Sequence, residues 1–212
     1  MLAHELRNAL STAMLAFGSL KRGAVGPDSS TGSVLERSLL RLRDLIDRSM
    51  SEVRLNAGLV HLQRVSIFDL VQELGIAAAA DASLRGVSFR LSPVSMQLEV
   101  DADRHLLIGA VQNIVQNGMK FTPRGGHVCL SVHEHDDHVL IEVEDECGGL
   151  PEAKMHALFD AFTQAGSDRT GLGLGLAISR ASVAMFEGTL SARNIPGKGC
   201  VFSIKVPRSA KL

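Results

Sequence analysis

An α+β chain, a helical hairpin followed by an α/β sandwich, is the fold class that the sequence predicts. Three observations lead there. Apolar residues recur at helical spacing from Leu6 to Val53, a glycine-bearing break divides that stretch in two, and beyond Gly58 helical segments alternate with paired strand-like runs. Because those runs do not follow a regular βαβ rhythm, a sandwich is favoured over a doubly wound sheet.

In the first stretch, Leu6, Leu10, Ala13, Phe17 and Leu20 step by four and three, which predicts a helix. Gly23 to Gly32 contains three glycines and a proline, the composition of a loop. Leu35, Leu39, Leu42, Ile46, Ser49 and Val53 then keep a heptad-like seam on a second helix. A lone hairpin cannot cover its apolar stripe, so a homodimer forming a four-helix bundle is expected. Packing of the hairpin on the rest of its own chain is the competing arrangement. The expected domains are residues 1–58 and 59–212.

In the second stretch, Val65 to Phe68 is short and β-prone, Asp69 to Leu84 is helical, and Val87 to Leu91 and Met96 to Val100 read as strands. A strong helix is expected from Asp103 to Phe121, stopped by Thr122-Pro123-Arg124-Gly125-Gly126. His127 to Glu134 and Val139 to Glu144 alternate apolar and polar residues around a polar connector, a hairpin pattern. Leu150 to Thr170 reads as irregular and Leu172 to Phe186 as helical. Thr189 to Arg193 and Val201 to Val206 read as closing strands.

Composition narrows the function. A net charge of -1 without any run of five like charges gives no footprint for nucleic acid and no polybasic membrane tether. Cys129, Cys147 and Cys200 are odd in number and widely spaced, unlike a disulfide framework or a metal-ligand cluster, so they read as reduced thiols in a cytoplasmic setting. No stretch reaches the roughly 18 apolar residues of a membrane span, and the start lacks the features of a signal peptide. A soluble segment without membrane contact is expected.

Four runs carry chemistry. Asn113 and Asn117 are four apart and share a helical face with Lys120 and Phe121 a turn further on. Two amide oxygens suit a hard cation such as Mg²⁺, and a lysine can neutralise phosphate. Asp145-Glu146-Cys147-Gly148-Gly149-Leu150 ends a predicted strand in a glycine turn. Leu158-Phe159-Asp160-Ala161-Phe162 supplies two aromatics that could anchor a loop. Gly171-Leu172-Gly173-Leu174-Gly175 runs into a helix, where backbone N–H groups and the helix dipole attract phosphate. A Gly-x-Gly-x-x-Gly loop with a downstream His-Arg-Asp is absent, as is a Walker lysine motif.

In this order these runs resemble the asparagine, aspartate-glycine, phenylalanine and second glycine boxes of sensor histidine kinases and the wider GHKL ATPases. His4-Glu5-Leu6-Arg7-Asn8-Ala9-Leu10 resembles the same kinases' phospho-acceptor box, His-Glu-Leu-Arg-(Thr or Asn)-Pro-Leu. The resemblance reaches the closing Asn194 to Phe202 and so covers essentially the whole chain. It departs at Ala9, where the family usually has proline, and at Cys147, which replaces the first glycine of its box.

The resemblance implies a GHKL-type ATP-binding domain behind the dimerisation hairpin. It implies ATP-dependent autophosphorylation of His4 and transfer to an aspartate on a response-regulator receiver domain. Asn113 and Asn117 would hold Mg²⁺, Lys120 would meet phosphate, Phe121 would lie beside the adenine, and Asp145 would accept a hydrogen bond from the adenine amino group. Gly149, Gly171, Leu172, Gly173, Leu174 and Gly175 would complete the ATP site. Glu5 would orient or deprotonate His4, and Asn8 could hold a water for regulator dephosphorylation. A box starting at residue 4 leaves almost no helix before it, so a truncated amino terminus, cut from a longer sensor, is expected. The alternative reading is a histidine phosphotransfer protein of the same architecture that does not use ATP. It leaves the nucleotide residues without a purpose.

Overall fold

The computed structural model describes residues 2–21, 29–35, 38–39, 42, 60–150, 155, 157–160 and 174–209. The chain divides into two compact units, Met1–Val53 and Arg54–Leu212. The boundary expected after Gly58 falls outside the described residues.

In the first unit, helix α1 spans Leu2–Lys21 without interruption at Ala9. Its small residues Ala13 and Ala16 are buried, whereas Leu10, Met14, Leu15 and Phe17 are exposed, Phe17 at 54%. Leu10 and Phe17 of the predicted stripe are therefore not covered within the unit. The expected loop ends earlier than Gly32, because residues 30–35 are helical. Ser29 is the reason: its carbonyl accepts Ser33 N–H at 3.1 Å and its hydroxyl accepts Gly32 N–H at 3.4 Å, which starts the helix. Along the predicted seam Leu39 is exposed while neighbouring Ser38 is buried. Ile46, Ser49 and Val53 lie outside the described residues.

The second unit has a two-stranded antiparallel sheet of β1 (Gln63–Ser66) and β3 (Glu99–Ala102). A five-stranded sheet runs β2 (Ser88–Leu91), β4 (His127–Glu134), β5 (His138–Asp145), β7 (Gly199–Pro207), β6 (Thr189–Ile195). Only β2 with β4 is parallel, and every other pair in that sheet is antiparallel. Helices α2 (Ile67–Arg85), α3 (Arg104–Phe121) and α4 (Gly175–Ala184) pack against these strands. Leu70, Val71, Leu107, Val111, Ile114 and Met119 of the helices share one core with Leu130, Ile141, Val143 and Ile204 of the strands.

Local chemistry sets the ends. Ser66 caps α2, its hydroxyl accepting Asp69 N–H at 3.2 Å, and Gly86 closes the helix in the left-handed conformation at φ 69°. Asp103 caps α3: Oδ1 accepts the N–H groups of His105 and Leu106, and Oδ2 accepts that of His61. Three predicted elements shift, the first being the strand expected over Val65 to Phe68, which forms over Gln63–Ser66 and leaves Ile67 and Phe68 to α2 behind the Ser66 cap. The strand expected over Met96 to Val100 becomes Glu99–Ala102, because Leu98 N–H bonds back to the Ser95 carbonyl and makes residues 96–97 a turn. The helix expected to reach Phe186 ends at Ala184, where Glu187 (φ 60°) and Gly188 turn the chain and Gly188 N–H returns to Val183 O. Among the described residues no helix is long and apolar enough to cross a membrane.

Candidate functional site

Strand parity puts Asp145 inside. On β5, Val139, Ile141, Val143 and Asp145 are all buried while their neighbours are partly exposed, so the carboxylate lies on the face covered by helices. Asp145 is 2% exposed. A buried carboxylate needs donors, and two backbone groups supply them: Oδ1 accepts Cys147 N–H at 3.1 Å and Cys200 N–H at 3.0 Å. Gly118 of α3 lets the helix approach, since a Cβ there would sit 3.3–3.4 Å from Val128, Val143 and the Asp145 Cβ.

The turn after Asp145 is carried by Gly148 (φ 84°) and Gly149 (φ 88°). Cys147 does not adopt a positive φ, so its Cβ is tolerated where the family pattern has glycine. Asn194 holds the end of this turn, accepting Leu150 N–H at 3.0 Å and donating to Leu150 O at 2.7 Å. Thr122, buried after α3, accepts Glu146 N–H at 3.3 Å.

The other side of the site is the exposed edge of α3. Asn113 and Asn117 are half-buried one turn apart, with Lys120 beyond them and its Nζ 5.1 Å from the ring centre of Phe121. The Asn113 amide nitrogen donates to Ser179 Oγ of α4 at 3.0 Å, which fixes the amide and leaves its oxygen as the acceptor toward Gly175. A Cβ at Gly175 would lie 2.5 Å from that oxygen, so glycine there keeps the space around the carbonyl open. This donor set fits Mg²⁺: two neutral amide oxygens on one helical face are ligands of the right kind, and water and phosphate oxygens are its usual remaining ones. Among the described residues no side chain caps α4 at Leu174, and the first-turn N–H groups of a helix attract an anion.

The structure thus brings Asn113, Asn117, Lys120, Phe121, Asp145, Gly149, Leu174 and Gly175 into the second unit, around α3, the end of β5 and the start of α4. Gly171, Leu172 and Gly173 lie outside the described residues, as does Phe162. Leu158 is buried, and the Arg180 guanidinium sits 5.4 Å from the centre of the half-buried Phe159 ring. His4, Glu5 and Asn8 are on α1 of the first unit. Asn8 is exposed and its carbonyl accepts Thr12 Oγ1–H at 3.0 Å, while the side chains of His4 and Glu5 are outside the described residues.

Ser179, Thr122, Gly199 and the Cys200 amide were not singled out by sequence. Gly199 is the strictest of them: a Cβ would fall 1.9 Å from the Asp145 carbonyl oxygen. Only the glycine itself, in a strand-like run, could have signalled that close approach.

A family model described as histidine kinase-, DNA gyrase B-, and HSP90-like ATPase matches residues 102–210. Histidine protein kinase DivJ of Caulobacter vibrioides is 31% identical over 217 residues, which cover 97% of this chain and 36% of DivJ. Sensor histidine kinase WalK of Bacillus subtilis is 28% identical, over 97% of this chain and 35% of its own. The chain spans little more than a third of the length of these relatives. In fold it resembles Acinetobacter baumannii histidine kinase AdeS at a TM-score of 0.71 and 20% identity, over 98% of each chain. It also resembles histidine kinase ThkA, solved in complex with the response regulator protein TrrA, at a TM-score of 0.68 and 19% identity, over 98% of this chain and 60% of that one. With the family model covering more than half of its residues and DivJ aligned along nearly all of them, the chain belongs to the histidine kinase-, DNA gyrase B- and HSP90-like ATPase family, as a sensor histidine kinase catalytic core.

Proposed function

We propose that this chain uses ATP to phosphorylate His4 and passes the phosphoryl group to a receiver-domain aspartate. The observation that carries the reading is one site combining a buried, backbone-clamped Asp145 with the half-buried Asn113 and Asn117 pair, in a chain whose first helix bears the His4 box.

Asp145 would receive the adenine amino group at the oxygen that its backbone donors leave over. Asn113 and Asn117 would hold Mg²⁺, which would offset the negative charge of the phosphates. Lys120 and the start of α4 would add positive potential at the phosphates, and Gly171 to Gly173 would complete that cradle. A ring nitrogen of neutral His4 attacks the γ-phosphorus, ADP leaves, and the ring loses a proton, which Glu5 would orient or accept. Adjacent side chains on a helix point about 100° apart, so Glu5 acts only after a rotamer change or on approach of the nucleotide domain. Asn8, exposed one turn after His4, would hold a water for hydrolysing the phosphorylated regulator.

The exposed Leu10, Met14, Leu15 and Phe17 on α1 support a homodimer through the helical hairpin, residues 1–58, with residues 59–212 as the catalytic domain. The ThkA complex with its regulator supports a receiver domain as the partner. The test is incubation with Mg²⁺ and γ-labelled ATP, comparing wild type with His4→Gln and Asp145→Ala. Acid-labile label lost in both variants is expected, together with nucleotide binding retained in His4→Gln and abolished in Asp145→Ala. A wild-type chain that binds no ATP would overturn the reading in favour of a phosphotransfer protein.

A further inference from the structure

We propose that Asp145, Cys147 and Cys200 form a binding site for a thiophilic divalent cation of the zinc class, and that this ion and the nucleotide base exclude one another. Fifty-three residues separate the two cysteines, yet their Sγ atoms lie 3.3 Å apart. With an Asp145 carboxylate oxygen, the three ligand atoms all fall within 4.8 Å of one another. Asn194 Oδ1, 3.4 Å from Cys200 Sγ, is a further oxygen donor at the same place.

The geometry needs little change. Tetrahedral zinc with bonds of about 2.3 Å to sulfur places two thiolates about 3.8 Å apart, so the pair would open by about half an ångström. The surroundings are already fixed, by the two amides on Asp145 Oδ1 and by the Asn194 clamp on Leu150. Cys200 and Asp145 are buried and Cys147 is half-buried, which leaves a way in from the Cys147 side.

The charge balance also favours exchange. One divalent cation enters and two thiol protons leave, so the formal charge of the pocket is unchanged and the burial penalty does not grow. Burial, and then the neighbouring Asp145, push the Cys147 thiol far above its ordinary value, and burial also raises that of Cys200. An ordinary thiol carries its proton at neutral pH, so binding of the ion releases protons. Mutual exclusion rests on the proposed contact of Asp145 with adenine, because the carboxylate cannot serve the ion and the base together.

The intact reduced chain is titrated with Co²⁺, whose thiolate complexes absorb in the near ultraviolet. The expected result is a band saturating at one ion per chain, displaced by Zn²⁺, with close to two protons released per ion. The band should be lost in Cys147→Ser and kept in Cys129→Ser. Absence of a thiolate band in wild type, its persistence in Cys147→Ser, or release of less than one proton overturns the site; the wild-type proton count decides it even if Cys147→Ser does not fold. Adenosine, which has no phosphates to chelate metal, then tests exclusion: Zn²⁺ should weaken its binding at least tenfold. Adenosine that binds the metal-free chain and is unaffected by Zn²⁺ overturns exclusion. Adenosine that fails to bind the metal-free chain counts against the nucleotide reading, while the Co²⁺ band decides the ion site separately.

Discussion

Asp145 has a structural duty as well as a proposed recognition one. The amides of half-buried Cys147 and buried Cys200 depend on its Oδ1, and removing the acceptor costs about 1–3 kcal/mol for a donor left unsatisfied in the interior. Asp145→Ala should therefore lower unfolding free energy by roughly 2–4 kcal/mol, measured by urea denaturation; a loss below about 1 kcal/mol would contradict the clamp. Gly175 behaves differently. The three atoms nearest a Cβ there all belong to the side chain of Asn113, the closest at 2.5 Å, so the amide must give up its bond to Ser179 to swing aside. Gly175→Ala should cost about 1 kcal/mol in stability but weaken Mg²⁺-dependent ATP binding roughly tenfold, about 1.4 kcal/mol. Unchanged affinity by calorimetry would show that the Asn113 amide is not where the cation sits.

Among the elements, α3 carries the asparagine pair, and its position is set at its amino-terminal cap. Asp103 accepts three backbone N–H groups, from His61, His105 and Leu106, tying the chain before β1 to the start of the helix. Asp103→Ala should cost about 2 kcal/mol, near the upper end for a helix cap, with a matching fall in the thermal midpoint. Such a cap followed by an apolar period and a Thr-Pro stop is legible in sequence, which is why α3 falls within a residue of expectation. The β4 and β5 pair is equally legible from its alternation. Met96 to Val100 was not, because the turn rests on a hydrogen bond between Leu98 and Ser95 while the residues themselves are strand-like. The early helix start at Ser30 was hidden by glycine and proline in the preceding segment, although Ser29 is a recognised capping type.

At the scale of the whole molecule, the core of the second unit is built from its own residues, from Val65 to Val206. Residues 54–212 expressed alone should unfold cooperatively and bind nucleotide like the intact chain, while losing autophosphorylation because His4 is gone. A fragment that fails to unfold cooperatively in chemical denaturation would contradict the division at Val53. The boxes were legible because their spacing survives in a linear reading. What brings Cys147 beside Cys200 was not, because it depends on β5 pairing with β7 in the register Glu144 to Val201, and no local pattern encodes that pairing.

On the adenine reading, the clamp on Asp145 would also act as a coding rule for base choice. Its two amides would dictate how an asparagine sits at this position: the carbonyl must take the place of Oδ1, and the amino group must point where the second carboxylate oxygen was. Where the native chain offers an acceptor, Asp145→Asn would offer a donor. On the adenine reading, the variant should discriminate against ATP and gain relative preference for 6-oxo purines, measured as the ratio of ITP to ATP affinity. On that reading a letter of nucleotide specificity would be written in the backbone of β7 as much as in the side chain that reads it.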